Sequence, residues 1–330
     1  MPDIYGFNNS FEFIRSGSTI LDCAIGGGFP LGRISNIIAG SGIGKSLLSI
    51  EAGANFSRQY PDGEIVYIET ESAFDEEYAK NIGLKDTHLR LERDIYTVEN
   101  LRDLLLEEME KRDKDTPALY IVDSLDGLSD MKAEENFVSD KGNYGTKSKM
   151  LSSFFQFFDN KLAKTKTHMI IVSQIRENLN AGPYGNPYRV AGGKALEFYC
   201  SQRIWLYSDE KIEKTFDGEK RIVGNWIRIK VIKNRISAPH RECYVAIIYR
   251  FGIDNLLSNL SYLFTEKVIN EFEGLTKSTF GDRIWKMEIS DDPKKHALLR
   301  EWDKIASAMV VERWKAVENG LSVKFSKYED

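Results

Sequence analysis

The chain has 330 residues, of which 42% are hydrophobic and 29% charged, and its formal net charge at pH 7 is −5. These values are typical of a globular protein and leave room for one large α/β core with a smaller appendage. Apolar runs such as 244–249 are too short to span a bilayer, and the N-terminus has neither a basic nor an apolar segment, so we expect a cytoplasmic protein without membrane contact.

The three cysteines, Cys23, Cys200 and Cys243, are far apart in the sequence. Neither they nor the four histidines have the spacing of a metal site, and we expect buried, reduced thiols. The net charge does not indicate nucleic-acid binding, but an overall charge can hide a local basic groove. The kind of partner must therefore be inferred from individual segments.

A glycine-rich segment joins a predicted buried strand over 34–38 to a predicted helix over 47–56. Backbone N–H groups can surround a phosphate only where side chains do not block them, and the positive end of the following helix favours the anion. Lys45 would reach the β- and γ-phosphates and the Ser46 hydroxyl would hold Mg²⁺, whereas the alternative is a glycine-rich turn with an incidental Lys-Ser pair. Ala39 takes the place of the usual first glycine, which is acceptable if its φ is negative. The predicted nucleoside triphosphate site consists of Ala39, Gly40, Ser41, Gly42, Ile43, Gly44, Lys45, Ser46 and Leu47.

Acidic residues follow the next two predicted strands, 64–68 and 118–123, which are separated by a helix predicted over 98–111. Active sites of open α/β sheets lie at the carboxyl ends of the strands, so Glu71 could orient an attacking water. A solvated acid at a turn fits the spacing of Glu71 equally well. Asp123 closes an apolar strand, a pattern typical of a carboxylate that supports Mg²⁺.

Two long polar segments, 129–147 and 177–193, flank a predicted helix and a strand over 168–173. Both mix basic residues with aromatics, which suits a single nucleic-acid strand because phosphates attract cations and unstacked bases stack on flat side chains. Composition alone favours the alternative, two solvated surface loops. The residues concerned are Lys141, Tyr144, Lys147 and Lys149 in the first segment, and Arg176, Tyr184, Tyr188, Arg189 and Lys194 in the second.

Three predicted strands, 203–207, 225–233 and 243–249, alternate as antiparallel strands do, and the pattern becomes helical from Asn255 onward. Asp292 followed by Pro293 is a typical helix start. The helix that follows carries an apolar face suited to packing, which we assign to Leu298, Leu299, Trp302, Ile305 and Met309.

In order and spacing, these elements resemble the ATPase core of the bacterial RecA recombinases and their phage relatives, from about residue 16 to about residue 255. The segments that carry the resemblance are 21–22 with 30–34, 67–75, 172–176, 185–187 with 192–199, and 230–239. It implies a RecA-like P-loop α/β fold, with a mostly parallel central sheet flanked by helices and antiparallel edge strands. It also implies ATP and Mg²⁺ as ligands. The implied organisation is a short segment over 1–15, the ATPase core over 16–255, and a small α-rich C-terminal domain over 256–330.

The resemblance also implies roles for single residues. Glu71 matches the catalytic glutamate of the family, and Gln174 matches a glutamine that senses the γ-phosphate and signals to the second DNA loop. Lys233 and Arg235 match a basic segment that reaches the nucleotide of a neighbouring subunit. Asp75 and Tyr78 match the contacts to adenine. The implied DNA-binding residues are Tyr144, Lys147, Lys149, Arg176, Asn178, Arg189, Gly192, Gly193 and Lys194.

Our leading hypothesis is an ATP-dependent, DNA-stimulated recombinase that assembles into a helical filament on single-stranded DNA and pairs it with homologous duplex. One alternative is a paralogue that binds nucleotide and DNA as a loader or regulator without exchanging strands. Another is a ring-forming motor of the same superfamily, such as a helicase. Bacterial members carry an N-terminal helix that docks on the adjacent subunit, whereas only about fifteen residues without a helical apolar face precede the core in this sequence.

Overall fold

The computed structural model describes residues 10–71, 74–129, 144–177 and 188–324. The strands are β1 (Phe13–Ile14), β2 (Phe29–Pro30), β3 (Ile34–Ala39), β4 (Glu64–Glu69), β5 (Leu89–Glu92), β6 (Ala118–Asp123), β7 (Thr167–Glu177), β8 (Tyr188–Val190), β9 (Gln202–Phe216), β10 (Glu219–Asn234), β11 (Glu242–Ile248) and β12 (Gly252–Asp254). The helices are α1 (Thr19–Ile25), α2 (Lys45–Gln59), α3 (Glu76–Ile82), α4 (Val98–Lys111), α5 (Tyr144–Leu162), α6 (Gly193–Tyr199), α7 (Asn255–Thr265), α8 (Phe280–Glu288) and α9 (Pro293–Leu321).

The main sheet has the strand order β12-β11-β10-β9-β3-β7-β6-β4-β5. The strands from β9 to β5 pair in parallel, whereas β10, β11 and β12 continue the sheet with antiparallel pairing. β8 pairs with the far end of β7, outside the main order. The predicted mostly parallel sheet with helices on its faces and antiparallel edge strands is confirmed.

The central strands are buried on both faces, which explains their continuous apolar sequences. Ile121 and Ile170 belong to the apolar cluster that contains α1 and α2. Their neighbours in the chain, Val122 and Ile171, belong to a second cluster with α4 and α5. Successive side chains of a strand point to opposite faces of the sheet, so each of these strands contributes to both apolar clusters.

Most local predictions for the first half of the chain agree with the structure. The predicted strand over 34–38 extends to Ala39, and the predicted helix begins at Lys45, where the left-handed Gly44 (φ 109°) precedes it. The helix over 98–111 has the predicted bounds because the Thr97 side chain caps it by accepting from the backbone N–H of Asn100. The cysteines are buried and free, as predicted.

The two polar segments contain more regular structure than predicted. α5 begins at Tyr144, so the loop predicted up to 147 ends earlier and Lys147 and Lys149 are helical. β7 continues to Glu177 and forms a two-stranded ribbon with β8, where Arg176 lies opposite Arg189. Asn178 lies outside the described residues. A strand pair held by non-local hydrogen bonds is not evident from local composition, which explains the difference.

The predicted apolar face of the last helix is wrong in part. Leu298 and Ile305 are 38% and 40% exposed, whereas α9 buries a different stripe, made of Trp302, Ala306, Val310 and Trp314. This stripe repeats every four residues, as expected for a helix face. It joins the same apolar cluster as α1, α2 and α7. The boundary of a separate C-terminal domain at 256 stays a prediction. In the described ranges, no helix has the length and apolar character needed to cross a bilayer.

Candidate functional site

The glycine-rich loop lies at the carboxyl end of β3, between this strand and α2. Gly42 and Gly44 have φ angles of 71° and 109°, which side chains rarely adopt. A Cβ on Gly44 would come within 3.0 Å of Ile247 Cδ1, because β11 ends beside the loop. Ala39 belongs to β3 and is not among the described residues with positive φ, so the condition for its substitution is met. The loop therefore has the open backbone that a phosphate site needs.

Lys45 is a buried cation at the start of α2. Its side chain is 7% exposed, and its Nζ donates to the carbonyl oxygen of Gly40 at 2.7 Å. Burial lowers the pKa of Lys45, and the nearby carboxylates of Asp123, Glu71 and Asp126 partly offset that effect. A buried ammonium group at a helix N-terminus, beside open backbone N–H groups, suits a polyanion such as a triphosphate.

Asp123 closes β6 and is held from two sides. The Tyr67 hydroxyl donates to its Oδ2 at 2.6 Å, and a hydrogen bond joins it to the Ser46 side chain. Burial raises the pKa of Asp123, and these two hydrogen bonds act in the opposite direction. Ser46 and Asp123 thus bring a hydroxyl and a carboxylate together next to the loop, a donor set that fits Mg²⁺.

Glu71 and Gln174, which lie on different strand ends, meet in the structure. Gln174 Nε2 donates to Glu71 Oε1 at 2.6 Å, and the Ser124 hydroxyl donates to the same oxygen. The neighbouring Glu69 differs: it is 4% exposed, forms an ion pair with Arg93 and accepts from the backbone N–H of Phe74. Of these two acids, Glu71 is therefore the one presented at the carboxyl edge of the sheet.

Asp75 and Tyr78 lie at the start of α3, where Asp75 Oδ1 accepts from the backbone N–H of Tyr78 at 2.9 Å. Tyr78 is half-buried and lies close enough to Glu51 of α2 for the negative charge of Glu51 to raise its pKa, after the larger effect of burial. Helix α3 packs against α2. Both residues are thus held beside the helix that follows the loop, and their contact with adenine stays a prediction.

Lys233 and Arg235 lie at the other edge of the sheet. Lys233 is opposite Arg203, near the start of β9, and Arg203 pairs with Asn36 near the start of β3. Because the phosphate loop follows the carboxyl end of β3, the basic pair is separated from its own loop by the length of the strand. Both cations donate to the Phe198 carbonyl oxygen at 2.7 Å, at the end of α6. Cations are favourable at a helix C-terminus.

Several predicted DNA-binding residues lie in or next to the first turns of α5 and α6. Lys147 donates to the carbonyl oxygen of Leu128, and Lys149 is exposed on the side of α5 that faces α4. Gly192 precedes α6 with a φ of 83°, and a Cβ there would come within 2.7 Å of the Leu196 Cβ. Gly193 and Lys194 begin α6, which packs against α5. The segments after both predicted loops are thus in contact, although 130–143 and 178–187 lie outside the described residues.

Several residues at the site were missed by the sequence analysis. Asp126 Oδ2 accepts from the backbone N–H of Gln174 at 2.7 Å. The hydroxyls of Ser124 and Tyr67 donate to the carboxylates of Glu71 and Asp123, respectively. Tyr249, at the end of β11, is 51% exposed on the same edge as the loop. The only signal in the sequence was the position of Asp126, three residues after Asp123.

Comparison with known proteins identifies the family of this chain. The RecA N-terminal domain model matches residues 6–254. The chain is 29% identical over 306 residues to Protein RecA of Mycoplasma mycoides subsp. mycoides SC, covering 90% of this chain and 85% of the relative. It is 32% identical over 247 residues to Protein RecA of Mesoplasma florum, covering 74% and 70%. It is 33% identical over 245 residues to Protein RecA of a Nocardioides species, covering 73% and 66%. The chain therefore belongs to the RecA family, as the order and spacing of its motifs predicted.

Proposed function

We propose that this chain is an ATP-dependent, DNA-stimulated recombinase that assembles on single-stranded DNA and pairs it with homologous duplex. The observation that carries the proposal is the contact between Glu71 and Gln174, 2.6 Å long, at the point where β7 leaves the main sheet. One partner lies at the nucleotide edge, and the other directly precedes the ribbon of β7 and β8, which borders a predicted DNA segment. A single hydrogen bond thus joins the two functions.

In this proposal, Lys45 binds the β- and γ-phosphates and Glu71 orients the attacking water. Ser46 and Asp123 would hold Mg²⁺, which neutralises phosphate charge when bound. The Tyr67 hydroxyl fixes the orientation of the Asp123 carboxylate by its 2.6 Å hydrogen bond. Glu71 shares one of its oxygens with Gln174 and Ser124, which restrains the carboxylate before nucleotide binds.

The DNA part of the proposal depends on the contact between α5 and α6. α5 begins near the end of the first predicted DNA segment and α6 at the end of the second, so their packing supports placing both segments close together. Lys149, in the second turn of α5, and Lys194, at the start of α6, are exposed, and such cations attract the phosphates of a single strand without regard to sequence.

The proposed assembly follows from the position of Lys233 and Arg235. Within its own chain the pair lies at the amino edge of the sheet, far from its phosphate loop, so it supports a contact with the nucleotide of a neighbouring subunit. A cation supplied from another subunit stabilises the charge of the transition state. Hydrolysis would then require assembly, and DNA would stimulate it by aligning subunits.

Two variants of the site test the proposal because they fail differently. Lys45→Ala removes the phosphate-binding cation and should abolish detectable ATP binding. Glu71→Gln keeps the contact to Gln174 through an amide oxygen, so ATP and single-stranded DNA binding should persist while hydrolysis falls by at least about 100-fold. The measurements are fluorescent-nucleotide binding, DNA-stimulated phosphate release and strand exchange between a circular single strand and a linear duplex.

The wild-type results separate the alternatives. DNA-stimulated hydrolysis without strand exchange would favour the loader or regulator, and rings in negative-stain images would favour a motor. Hydrolysis at the wild-type rate by Glu71→Gln would remove Glu71 from the mechanism. Glu77→Gln, at an exposed glutamate on α3, is the matched control and should behave as wild type.

A further inference from the structure

Asp126 lies on a short turn, Leu125–Gly127, that follows β6. Its Oδ2 accepts from the backbone N–H of Gln174 at 2.7 Å, whereas Glu71 accepts from the side chain of the same glutamine at 2.6 Å. Two carboxylates from two different strand ends therefore hold the backbone and the side chain of Gln174.

The sheet explains why this backbone group needs a side-chain partner. β6 pairs with β7 as far as Val122 opposite Ile171, and then leaves the sheet after Asp123. Gln174 lies three residues beyond Ile171, so its backbone N–H has no carbonyl oxygen of β6 as an acceptor. The site is part-buried, where an N–H without an acceptor costs free energy, and the Asp126 carboxylate supplies the acceptor.

The turn that carries Asp126 is itself fixed. The Thr70 hydroxyl donates to the Ser124 carbonyl oxygen at 2.7 Å and accepts from the Ser124 backbone N–H at 3.0 Å. A Cβ on Gly127 would collide with Thr70, so the turn lies directly against the segment that leads to Glu71. The turn that carries Asp126 is thus held by the segment that leads to Glu71 as well as by its hydrogen bond to β7.

We propose that Asp126 is a positioning residue that couples the nucleotide site to the β7–β8 ribbon through its hydrogen bond to the Gln174 backbone. The inference rests on the proposed function of the site, because it assigns the physical connection between nucleotide and DNA. Gln174 is the last residue of β7 that pairs with β3, and Ile175 is the first that pairs with β8. A shift of the turn when nucleotide binds is therefore transmitted to the backbone at the base of the ribbon. The Asp126 charge is among those that oppose the lowering of the Lys45 pKa by burial, so Asp126 lies within electrostatic range of the predicted phosphate-binding cation.

The experiment compares Asp126→Ala with Asp126→Asn in the full chain. Asparagine keeps an oxygen that can accept from the Gln174 N–H, whereas alanine removes it. The first readout is hydrogen exchange of the peptide 168–177 without nucleotide or DNA. We expect exchange at the Gln174 amide to be about tenfold faster in Asp126→Ala and close to wild type in Asp126→Asn.

The second readout is the ratio of single-stranded DNA affinity with a non-hydrolysable ATP analogue to that with ADP. We expect Asp126→Ala to reduce this ratio about tenfold and Asp126→Asn to retain most of it. Asp292→Ala is the matched control, since Asp292 also accepts from a backbone N–H, that of Lys294 at 3.0 Å, but caps the distant helix α9. It should change neither readout.

Unchanged exchange at the Gln174 amide in Asp126→Ala, or a DNA-affinity ratio equal to that of the wild type in that variant, would overturn the inference. An equal loss of the DNA-affinity ratio in both variants would also overturn it, because the hydrogen bond would then not carry the coupling. If Asp126→Ala does not fold, Asp126→Ser, whose oxygen does not reach as far, replaces it. A wild-type protein whose DNA affinity does not depend on nucleotide would instead refute the proposed function, while the exchange readout still decides whether Asp126 positions Gln174.

Discussion

Glu51 shows how a single buried carboxyl links the phosphate-loop helix to the far side of the sheet. Its Oε1 accepts from the backbone N–H of Ile253 at 2.9 Å, which ties α2 to β12. The side chain is 8% exposed, and burial raises its pKa to about 7. The hydrogen bond from Ile253 and the charge of Arg58 act in the opposite direction. The folded protein therefore binds a proton at Glu51 more tightly than the unfolded chain does.

The sign of this shift predicts a pH dependence of stability. Because the folded pKa is raised, the contribution of Glu51 is fully present below about pH 4.5 and is lost as the pH rises through about 7. The loss amounts to about 3 kcal/mol at most, at 1.36 kcal/mol per pKa unit. Glu51→Gln keeps the acceptor for Ile253 but cannot ionise, so we expect its free energy of unfolding to exceed that of the wild type increasingly between pH 5 and pH 8.5.

Urea unfolding at several pH values measures this difference, with Glu77→Gln on the exposed side of α3 as the control. Comparing variant and wild type at each pH cancels the contributions of other acids with raised pKa, such as Asp303 and Glu288. A constant difference across the pH range would contradict the assignment of the shift to Glu51.

The residues that the sequence predicted at the site belong to local motifs, and the ones it missed do not. Lys45 and Ser46 follow a glycine-rich loop, and Asp123 ends an apolar strand, so each is identified by its neighbours in the chain. Asp126 and Tyr67 act through contacts that depend on strand order, because Gln174 and Asp123 lie on other strands. The roles of Glu71 and Gln174 followed from the family resemblance, whereas their contact was not predicted because it depends on strand order.

At the scale of secondary-structure elements, prediction succeeded where one element could be recognised alone. α4 has a cap and a clear apolar period, and β6 is a continuous apolar run, so their bounds agree with the structure. The ribbon of β7 and β8 and the long hairpin of β9 and β10 depend on pairing between strands. β7, β9 and β10 were predicted too short, and β8 was not predicted. Pairing partners are set by the whole sheet and leave little trace in local composition.

The packing of α9 gives a prediction that separates the observed helix face from the one inferred from the sequence. Trp302 is 6% exposed and packs edge to face on Phe272, with ring centroids 6.0 Å apart. Trp302→Ala should lower the free energy of unfolding by about 3–5 kcal/mol, because it leaves a cavity in the core. Ile305→Ala is the matched control at a site that is 40% exposed, and should cost about 1 kcal/mol or less.

Urea or thermal unfolding of both variants measures these costs. Equal costs for the two substitutions would show that Ile305 belongs to the packed face of α9, as the sequence analysis predicted, and would contradict its exposed position. The result would also test whether the C-terminal segment unfolds independently, because the stripe through Trp302 joins the apolar cluster of the main sheet. A large effect of Trp302→Ala on global unfolding would mean that α9 unfolds together with the sheet.

At the scale of the whole molecule, strand direction places the predicted nucleotide site and the basic pair Lys233 and Arg235 at opposite edges of the main sheet. β3, β6 and β7 run in the same direction and bring Lys45, Asp123 and Gln174 to one edge. β10 runs in the opposite direction, so Lys233 emerges at the other edge. One chain therefore presents the two halves of a composite site without joining them, and a head-to-tail assembly would join them at every interface.

A mixing experiment tests this composite site. We expect Glu71→Gln and the double variant Lys233→Gln/Arg235→Gln each to lose DNA-stimulated hydrolysis, because cations supplied by a neighbour can contribute about 10³–10⁵ in rate. Glutamine retains a donor for the Phe198 carbonyl oxygen that both cations contact, so the end of α6 should persist. In a mixed assembly, roughly a quarter of the interfaces combine an intact Glu71 with an intact basic pair. Phosphate release should therefore return to roughly that fraction of the wild-type rate at equal amounts of the two proteins, with Lys45→Ala mixed with Glu71→Gln as the control that restores nothing. If both proteins still assemble on DNA and mixing restores no activity, Lys233 and Arg235 do not act on the neighbour's nucleotide.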